Sequence, residues 1–373
     1  MDSIAITFEN MEDAASADIA GIIGPRKVEI KKTALLFNAT DRELAKLSFF
    51  SQAFLRVARL LSYFEIDDSL EKAKKAILEN ISDLRLDKIL KNKTFKVITK
   101  RNNDFREINS QEISSIIGEA VLKSADAKVK MKNYDIAFFA YIHGTTLYFG
   151  IDFSGFDLSK RHYKVFSNQT ALNSSFAYLL FKKGLLSLKN KNQLTLLDPF
   201  CGIATIPIEA ALFSSSKFSR LHSADDFLFR SFVKPKLAHS SKMSLKIYAF
   251  DSSVHNIRSA KKNAKIAGIA DAIEFSNASI EWLDTRLGEK SVSIIATLLP
   301  VPGKSMAEKE AIKQYNELFY QAEYILADDS AIVAATIKPG IFAESIPESF
   351  RLHSEIVTYQ GKQKFHVFVV KRA

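Results

Sequence analysis

Apolar and polar positions follow three different rhythms along the chain. Over the first stretch they predict a helix from Glu9 to Ile23, short strands around Val28–Ile30 and Ala34–Asn38, and helices starting at Arg42 and Phe54. Thr40 followed by Glu43 has the spacing of a capping box, in which hydroxyl and carboxylate satisfy backbone N–H groups left unpaired in the first turn. A charged segment, Glu65 to Lys75, opens the second rhythm. Leu70, Ala73, Ile77 and Ile81 fall on one helical face, and a strand follows at Thr94–Thr99. Asn109 with Glu112 predicts a capped helix whose buried stripe is Ile113, Ile116, Ile117, Ala120 and Val121. Two β-rich runs, Ile136–Ile142 and Thr146–Asp152, flank His143–Gly144 and predict a hairpin. This order describes a small α/β module ending near Asp152.

From about Gln193 the rhythm changes to apolar strands alternating with helices, the pattern of a mostly parallel, doubly wound sheet. Strands are predicted at Leu194–Leu197, Ile247–Phe250, Ile273–Ser276, Val292–Leu298 and Ile332–Thr336. Glu355–Tyr359, a turn at Gly361 and Phe365–Val370 predict a closing antiparallel hairpin, and a parallel sheet ending in such a hairpin is a common arrangement in one class of methyl-transferring enzymes. The segment Phe213–Lys246, rich in Ser, Phe and Lys, has little periodicity and reads as an insertion.

With 373 residues the chain is long enough for two or three cores, and 47% hydrophobic with 25% charged residues excludes a largely disordered or fibrous chain. Lys and Arg number 52 against 42 for Asp and Glu. The net charge of +10 suits a polyanionic partner, although a basic housekeeping protein would have the same balance. The densest positive run is Arg85, Lys88, Lys91, Lys93, Lys96, Lys100, Arg101 and Arg106, which reads either as a phosphate-binding surface or as a solvated face. A single cysteine, Cys201, excludes an intrachain disulfide framework and any multi-cysteine metal site. An intracellular, cytoplasmic protein without a metal is therefore expected. No apolar run of about 18 residues occurs, and Met1–Asn10 carries Asp2 and Glu9 with no basic leader, so neither membrane insertion nor secretion is expected.

The strongest chemical signal is the stretch Leu196-Leu197-Asp198-Pro199-Phe200-Cys201-Gly202-Ile203-Ala204-Thr205, continuing as Ile206-Pro207-Ile208-Glu209-Ala210. An apolar strand ends in a carboxylate, turns at a glycine and enters a helix, which puts backbone donors and an acid at the carboxyl edge of a sheet. The next strand ends in Asp251, a carboxylate placed to accept ribose hydroxyls or to cap the following helix. Lys304 after a glycine lacks the Gly-rich run of a phosphate loop, and the histidines, including His143, His162 and His255, have no metal-ligand spacing.

These residues resemble the THUMP-domain, S-adenosylmethionine-dependent RNA methyltransferases that act on guanine N2, and the likeness covers nearly the whole chain. It rests on the Asp198–Gly202 stretch with Ile206–Ala210, the Asp251 strand, and Asn263 in the helix after it. Upstream, Gly150–Gly155 and Leu158–Lys164 resemble the segment leading from the THUMP module into the catalytic domain. The resemblance implies an N-terminal ferredoxin-like domain (1–64), a THUMP domain (65–165) and a Rossmann-fold methyltransferase domain of the seven-stranded type (166–373). It implies S-adenosylmethionine as cofactor, with Asp198, Phe200, Gly202 and Thr205 around its methionine part, Asp251 on the ribose and Asn277 on the adenine. Structured RNA, most simply tRNA and less so large-subunit rRNA, is the implied partner, met by Lys96, Lys100, Arg101, Arg106, Lys160, Arg161 and Lys164.

The chain departs from the family pattern where the target base would sit. The family places a polar acceptor and an aromatic ring after the fourth strand; here Leu298, Leu299, Pro300 and Val301 occupy that stretch. Ile203 and Ala204 stand where Ser and Gly are usual, and Asn277 where Asp is usual. Leu298, Leu299 and Pro300 are the expected neighbours of the target amine, with backbone carbonyls available in place of a side-chain acceptor. These losses give the alternative: an impaired relative that keeps the fold and serves as an RNA-binding protein or partner subunit.

Overall fold

A computed structural model describes residues 1–102, 105–168, 171–215, 243–303 and 306–373. The amino-terminal half contains β1 (Ser3–Ile6), α1 (Glu12–Ile23), β2 (Glu29–Lys31), β3 (Ala34–Phe37), α2 (Asp41–Phe50) and β4 (Arg56–Glu65). It continues through α3 (Leu70–Ile81), α4 (Asp87–Leu90), β5 (Thr94–Asn102), α5 (Ser110–Ser124), β6 (Lys128–Val129), β7 (Ile136–His143) and β8 (Thr146–Asp152). All eight strands form one sheet in the order β2-β3-β1-β4-β8-β7-β5-β6, so the first two sequence units share a sheet along the β4–β8 seam. Both anticipated capping boxes are present, Thr40 with Glu43 on α2 and Asn109 with Glu112 on α5.

Two strands, β1 and β4, were not legible as strands. β1 is only four residues long and buried on both faces. The helix expected from Phe54 is instead β4, because Leu61 and Phe64 pack under α3 and α5 while Ala58 and Leu60 enter a different core, leaving no alternation of apolar and polar positions. A register irregularity between Leu60 and Ser62 breaks the period further. Gly150 on β8 has a packing reason: a Cβ there would collide with the backbone carbonyl of Arg59 on β4.

The sheet curls strongly. β3 and β7 lie four strands apart, which is about 19 Å in a flat sheet, yet Thr33 Oγ1, beside β3, and Tyr141 OH on β7 are 2.7 Å apart. The concave face therefore packs against itself, burying Ile4, Ile6, Leu36, Phe139, Tyr141 and Tyr148.

The second half comprises α6 (Ser174–Ser187), β9 (Gln193–Asp198), α7 (Thr205–Ser214), β10 (Ser244–Asp251), α8 (Val254–Ile266), β11 (Glu274–Asn277) and α9 (Leu283–Arg286). After these come β12 (Val292–Leu298), α10 (Glu308–Ile325), β13 (Leu326–Thr336), α11 (Pro339–Glu344), β14 (Phe350–Gln360) and β15 (Gln363–Arg372). Their sheet runs β11-β10-β9-β12-β13-β15-β14, with the first five strands parallel and the terminal hairpin antiparallel. This is a Rossmann-like, doubly wound architecture. Helices α6, α7 and α8 cover one face, and α9, α10 and α11 cover the other. Within the expected insertion, Phe213 belongs to α7 and Lys246 to β10; residues 216–242 lie outside the described residues.

The two halves share a core. Phe8, Ala15 and Ile19 of the first half join Phe176, Tyr178 and Phe181 of α6 in a single buried cluster, with the Phe8 and Phe176 rings 5.3 Å apart. On its other side α6 lies close on the central strands, since a Cβ at Gly184 would come within 2.6 Å of Ile294 Cγ2. Among the described residues no helix is long and apolar enough to cross a membrane.

Candidate active site

The helix after β9 and the helix after β12 lie on opposite faces, so the order of the sheet reverses between these two neighbours. Open α/β sheets bind ligands at the carboxyl ends of strands at such a switch point. Here those ends carry Asp198 on β9, Asp251 on β10, Asn277 on β11 and Leu298 on β12. Four of the anticipated residues thus sit at one edge, with Phe200, Gly202 and Thr205 in the loop and first turn that follow β9.

Asp198 is 2% exposed. Its Oδ1 accepts from Thr297 Oγ1 at 2.7 Å and from Phe200 N at 3.3 Å, which ties β9 to β12. Among the described residues no Lys, Arg or His pairs with this carboxyl, and burial pushes its pKa up to about 7. Desolvation favours the neutral form of such an acid, and a cation placed beside it would favour the charged form. Cys201 beside it is buried too, and burial pushes its thiol well above the ordinary range, so it is no activated nucleophile.

The loop between β9 and α7 is held by its backbone. Cys201 N donates to Phe250 O at 2.9 Å, Gly202 N to Asp251 Oδ2 at 2.8 Å, and Ala204 N to Cys201 O at 2.7 Å. Gly202 has φ +53°, and a Cβ placed on it would meet no heavy atom within 4 Å, leaving open space beside the loop. Ala204 also sits in the left-handed region, φ 60° and ψ 38°, at the start of α7, where it supplies no side-chain cap. The conformation that favours glycine is therefore retained where the glycine is not.

Asp251 is more committed than a free ribose acceptor would be. Besides Gly202 N, its Oδ1 accepts from Ser253 N at 2.8 Å and Asn256 Nδ2 at 3.0 Å. The cap of α8 is Ser253, whose side chain accepts from Asn256 N. A carboxylate offers about four lone-pair sites, so Asp251 has little capacity left for a ligand. Asn277 donates through Nδ2 to the carbonyls of Asp251 and Ser252, at 3.0 and 2.8 Å, bonds that leave its Oδ1 available as an acceptor.

At the end of β12, Leu299 is buried and Leu298 and Pro300 are half-buried. Leu299 N donates to Ala335 O at 2.9 Å, and the Pro300 carbonyl accepts from Tyr315 OH on α10. That carbonyl is spent on holding the loop. Lys304 lies outside the described residues.

The basic residues divide. Lys100, Arg106 and Lys160 are exposed, and Lys96 lies 5.8 Å from the centre of the Tyr134 ring. Arg101 is exposed but donates to the carbonyls of Phe105 and Ile108, so it braces its own loop. Arg161 does not face solvent: its side chain is fully buried and binds Glu209 bidentately, Nε to Oε1 at 2.9 Å and Nη2 to Oε2 at 3.0 Å. Lys164 is half-buried, donates to Leu172 O, and has its pKa lowered by burial. These two belong to the link between the halves rather than to an outer surface, because each finds its polar partners inside the chain. Sequence reasoning missed Lys128, Lys130 and Lys132, exposed on β6 and the loop after it, where β6 pairs with the start of β5. Lysine at every second position was the available signal.

The lining of this edge bears on a nucleoside cofactor that carries an ammonium group. Three features fit: the unpaired buried acid at Asp198, the open side of Gly202, and the free acceptor of Asn277. Asp251 fits less well. Among the described residues no group of three or more His, Cys, Asp or Glu has the arrangement to hold a metal.

Residues 161–363 match the RMKL-like methyltransferase domain, and residues 71–152 match the THUMP domain. The chain is 26% identical over an alignment of 377 residues to the tRNA (guanine(6)-N2)-methyltransferase of Archaeoglobus fulgidus, covering 96% of this chain and 90% of that protein. It is 27% identical over 388 residues to the protein of the same name from Methanocaldococcus jannaschii, covering 98% and 96%. Among solved structures, SMU.472 complexed with SAH has a TM-score of 0.74 at 15% identity, covering 100% of this chain and 98% of that one, a likeness of fold.

Proposed function

The chain belongs to the RMKL-like methyltransferase family, and on that premise we propose that it methylates N2 of a guanine in tRNA, with S-adenosylmethionine as its cofactor. The observation that carries this reading is the joining of that catalytic domain, on a carboxyl edge with an unpaired buried acid, to a THUMP domain in one chain. The two archaeal relatives named as tRNA methyltransferases align over nearly the full length, which favours an active enzyme over an impaired binding protein.

In this reading Asp198 takes the cofactor's ammonium, with Phe200, Gly202 and Thr205 around the methionine part. Asn277 Oδ1 accepts from the adenine amine, and Asp251 contributes to the ribose through whatever capacity the Gly202 loop leaves it. When bound, the cofactor supplies an electrophilic methyl group. The chain's own task is to position a guanine amine and exclude water. Leu298, Leu299 and Pro300 provide an apolar wall beside the amine. With the Pro300 carbonyl engaged by Tyr315, orientation of the amine falls to the backbone carbonyls of Leu298 and Leu299. Lys96, Lys100, Arg106 and Lys160, joined by Lys128, Lys130 and Lys132, meet RNA phosphates. The division into 1–64, 65–165 and 166–373 places the RNA-holding modules first and the chemistry last, in a cytoplasmic protein.

The test is transfer of labelled methyl from S-adenosylmethionine to RNA from a host lacking the gene, followed by nucleoside analysis. N2-methylguanosine in the tRNA fraction is the expected result. The same product in large-subunit rRNA alone would overturn the tRNA assignment, and no transfer to any RNA would overturn the enzyme.

A further inference from the structure

A buried polar knot joins the RNA-holding half of the protein to α7, the helix that follows the Gly202 loop in the catalytic half. Its centre is Glu209 on α7, whose side chain is fully buried. Besides Arg161, Glu209 receives Tyr163 OH at 2.7 Å on Oε1 and Gln52 Nε2 at 2.7 Å on Oε2, and Gln52 Nε2 also donates to the Glu209 carbonyl at 2.9 Å. Arg161 Nη2 returns to the Gln52 carbonyl at 3.1 Å. The donors come from two places: Gln52 from the turn after α2 in the first module, Arg161 and Tyr163 from the segment linking the halves.

Glu209 lies four residues into α7, about 6 Å along the axis from Thr205 at the rise of a helix. The residues before Thr205 are the loop of Phe200–Ala204. That loop has no side-chain cap at its junction with the helix, and Ala204 is held there in the left-handed region. The position of α7 along and about its axis therefore fixes where the loop's backbone donors point, and Glu209 is its buried polar anchor, saturated by four donor groups from outside the helix.

We propose that Gln52, Arg161 and Tyr163 are positioning residues for the methyl-donor site: through Glu209 they hold α7, and with it the Gly202 loop, in register with the RNA-holding half. This rests on the cofactor reading given above. A second polar cluster, Asp18 with Ser51, Tyr178 and Lys182, also crosses between the halves but reaches α6 instead of the start of α7. It supplies a matched control.

The experiment measures S-adenosylhomocysteine affinity by calorimetry, tRNA affinity by filter binding, and thermal unfolding. The proteins compared are the wild type, Tyr163→Phe, Gln52→Met and the control Tyr178→Phe. The expected result is a dissociation constant for S-adenosylhomocysteine raised about five-fold or more in Tyr163→Phe and Gln52→Met, the lower end of coupling between sites. Their tRNA affinity stays unchanged, and Tyr178→Phe loses stability with its cofactor affinity intact. Either folded variant binding S-adenosylhomocysteine as tightly as the wild type would overturn the proposal and leave the knot as a stabilising contact only. A folded wild type that binds no S-adenosylhomocysteine would overturn the cofactor reading itself, a result distinct from the first.

Discussion

Replacing Asp198 with Asn should stabilise the protein at high pH, an unusual outcome for a substitution at a cofactor site. In the folded protein the carboxyl keeps its proton up to about pH 7, against an ordinary value of 3.8. Between those pH values the native state binds a proton that the unfolded chain has released, so stability falls as pH rises and levels off above about pH 7. The gap of roughly 3 units corresponds to about 4 kcal/mol at 1.36 kcal/mol per unit, an upper bound set by how far the buried site relaxes. Asn retains an oxygen for the Thr297 hydroxyl and the Phe200 amide while carrying no charge to desolvate. Urea unfolding of both proteins at pH 5, 6.5 and 8 isolates the effect, because every other titrating group cancels in the difference. The advantage of Asp198→Asn over wild type should grow by about 3 kcal/mol from pH 5 to pH 8, the part of the titration lying in that window. A difference that does not change with pH would refute the reasoning, since it would mean that Asp198 is ionised in the folded protein throughout.

Ala204→Gly should raise stability by about 1 kcal/mol in urea unfolding, because a left-handed alanine costs roughly 1–2 kcal/mol that glycine avoids; a loss of stability would show that the loop is not strained there. Changing Lys128, Lys130 and Lys132 together to Glu should weaken tRNA binding by about ten-fold or more at low salt and flatten the dependence of log K on log salt; an unchanged salt slope would remove this edge from the RNA surface. Leu298→Asn combined with Val301→Tyr should raise kcat/KM for tRNA by about ten-fold or more, since an oriented hydrogen bond and a base stack are each worth about 1–3 kcal/mol; an equal or lower rate would mean that the apolar loop has its own way of seating the base.

The parallel strands β9, β10 and β11 were legible because apolar runs end in Asp or Asn, β12 and β13 because they are plain apolar runs, and the two hairpins because their turns separate β-rich runs. β4 read as a helix because it is apolar on both faces and irregular at Leu60–Ser62. Helix α6 left no amphipathic stripe, since it is sandwiched between the first half and the central strands and buries even Ser174, Ser175 and Lys182. At the site, Asp198 and Gly202 were readable from strand, acid and glycine in succession. The fate of Arg161 was not. In one dimension it sits in a basic run, and its partner Glu209 lies 48 residues away on a helix that looks wholly apolar around it. Trp282, by contrast, is large and apolar yet 58% exposed. Charge and size suggest where a side chain belongs; only the tertiary partner decides it.

The central claim, that the carboxyl edge between β9 and β12 holds S-adenosylmethionine through Asp198, is tested most directly by calorimetric titration of wild type and Asp198→Asn with S-adenosylmethionine at pH 7.5. The account predicts one-to-one binding to the wild type and loss of most of that affinity in a variant that is folded and more stable. Equal affinity in the two proteins, or none in a folded wild type, would contradict it.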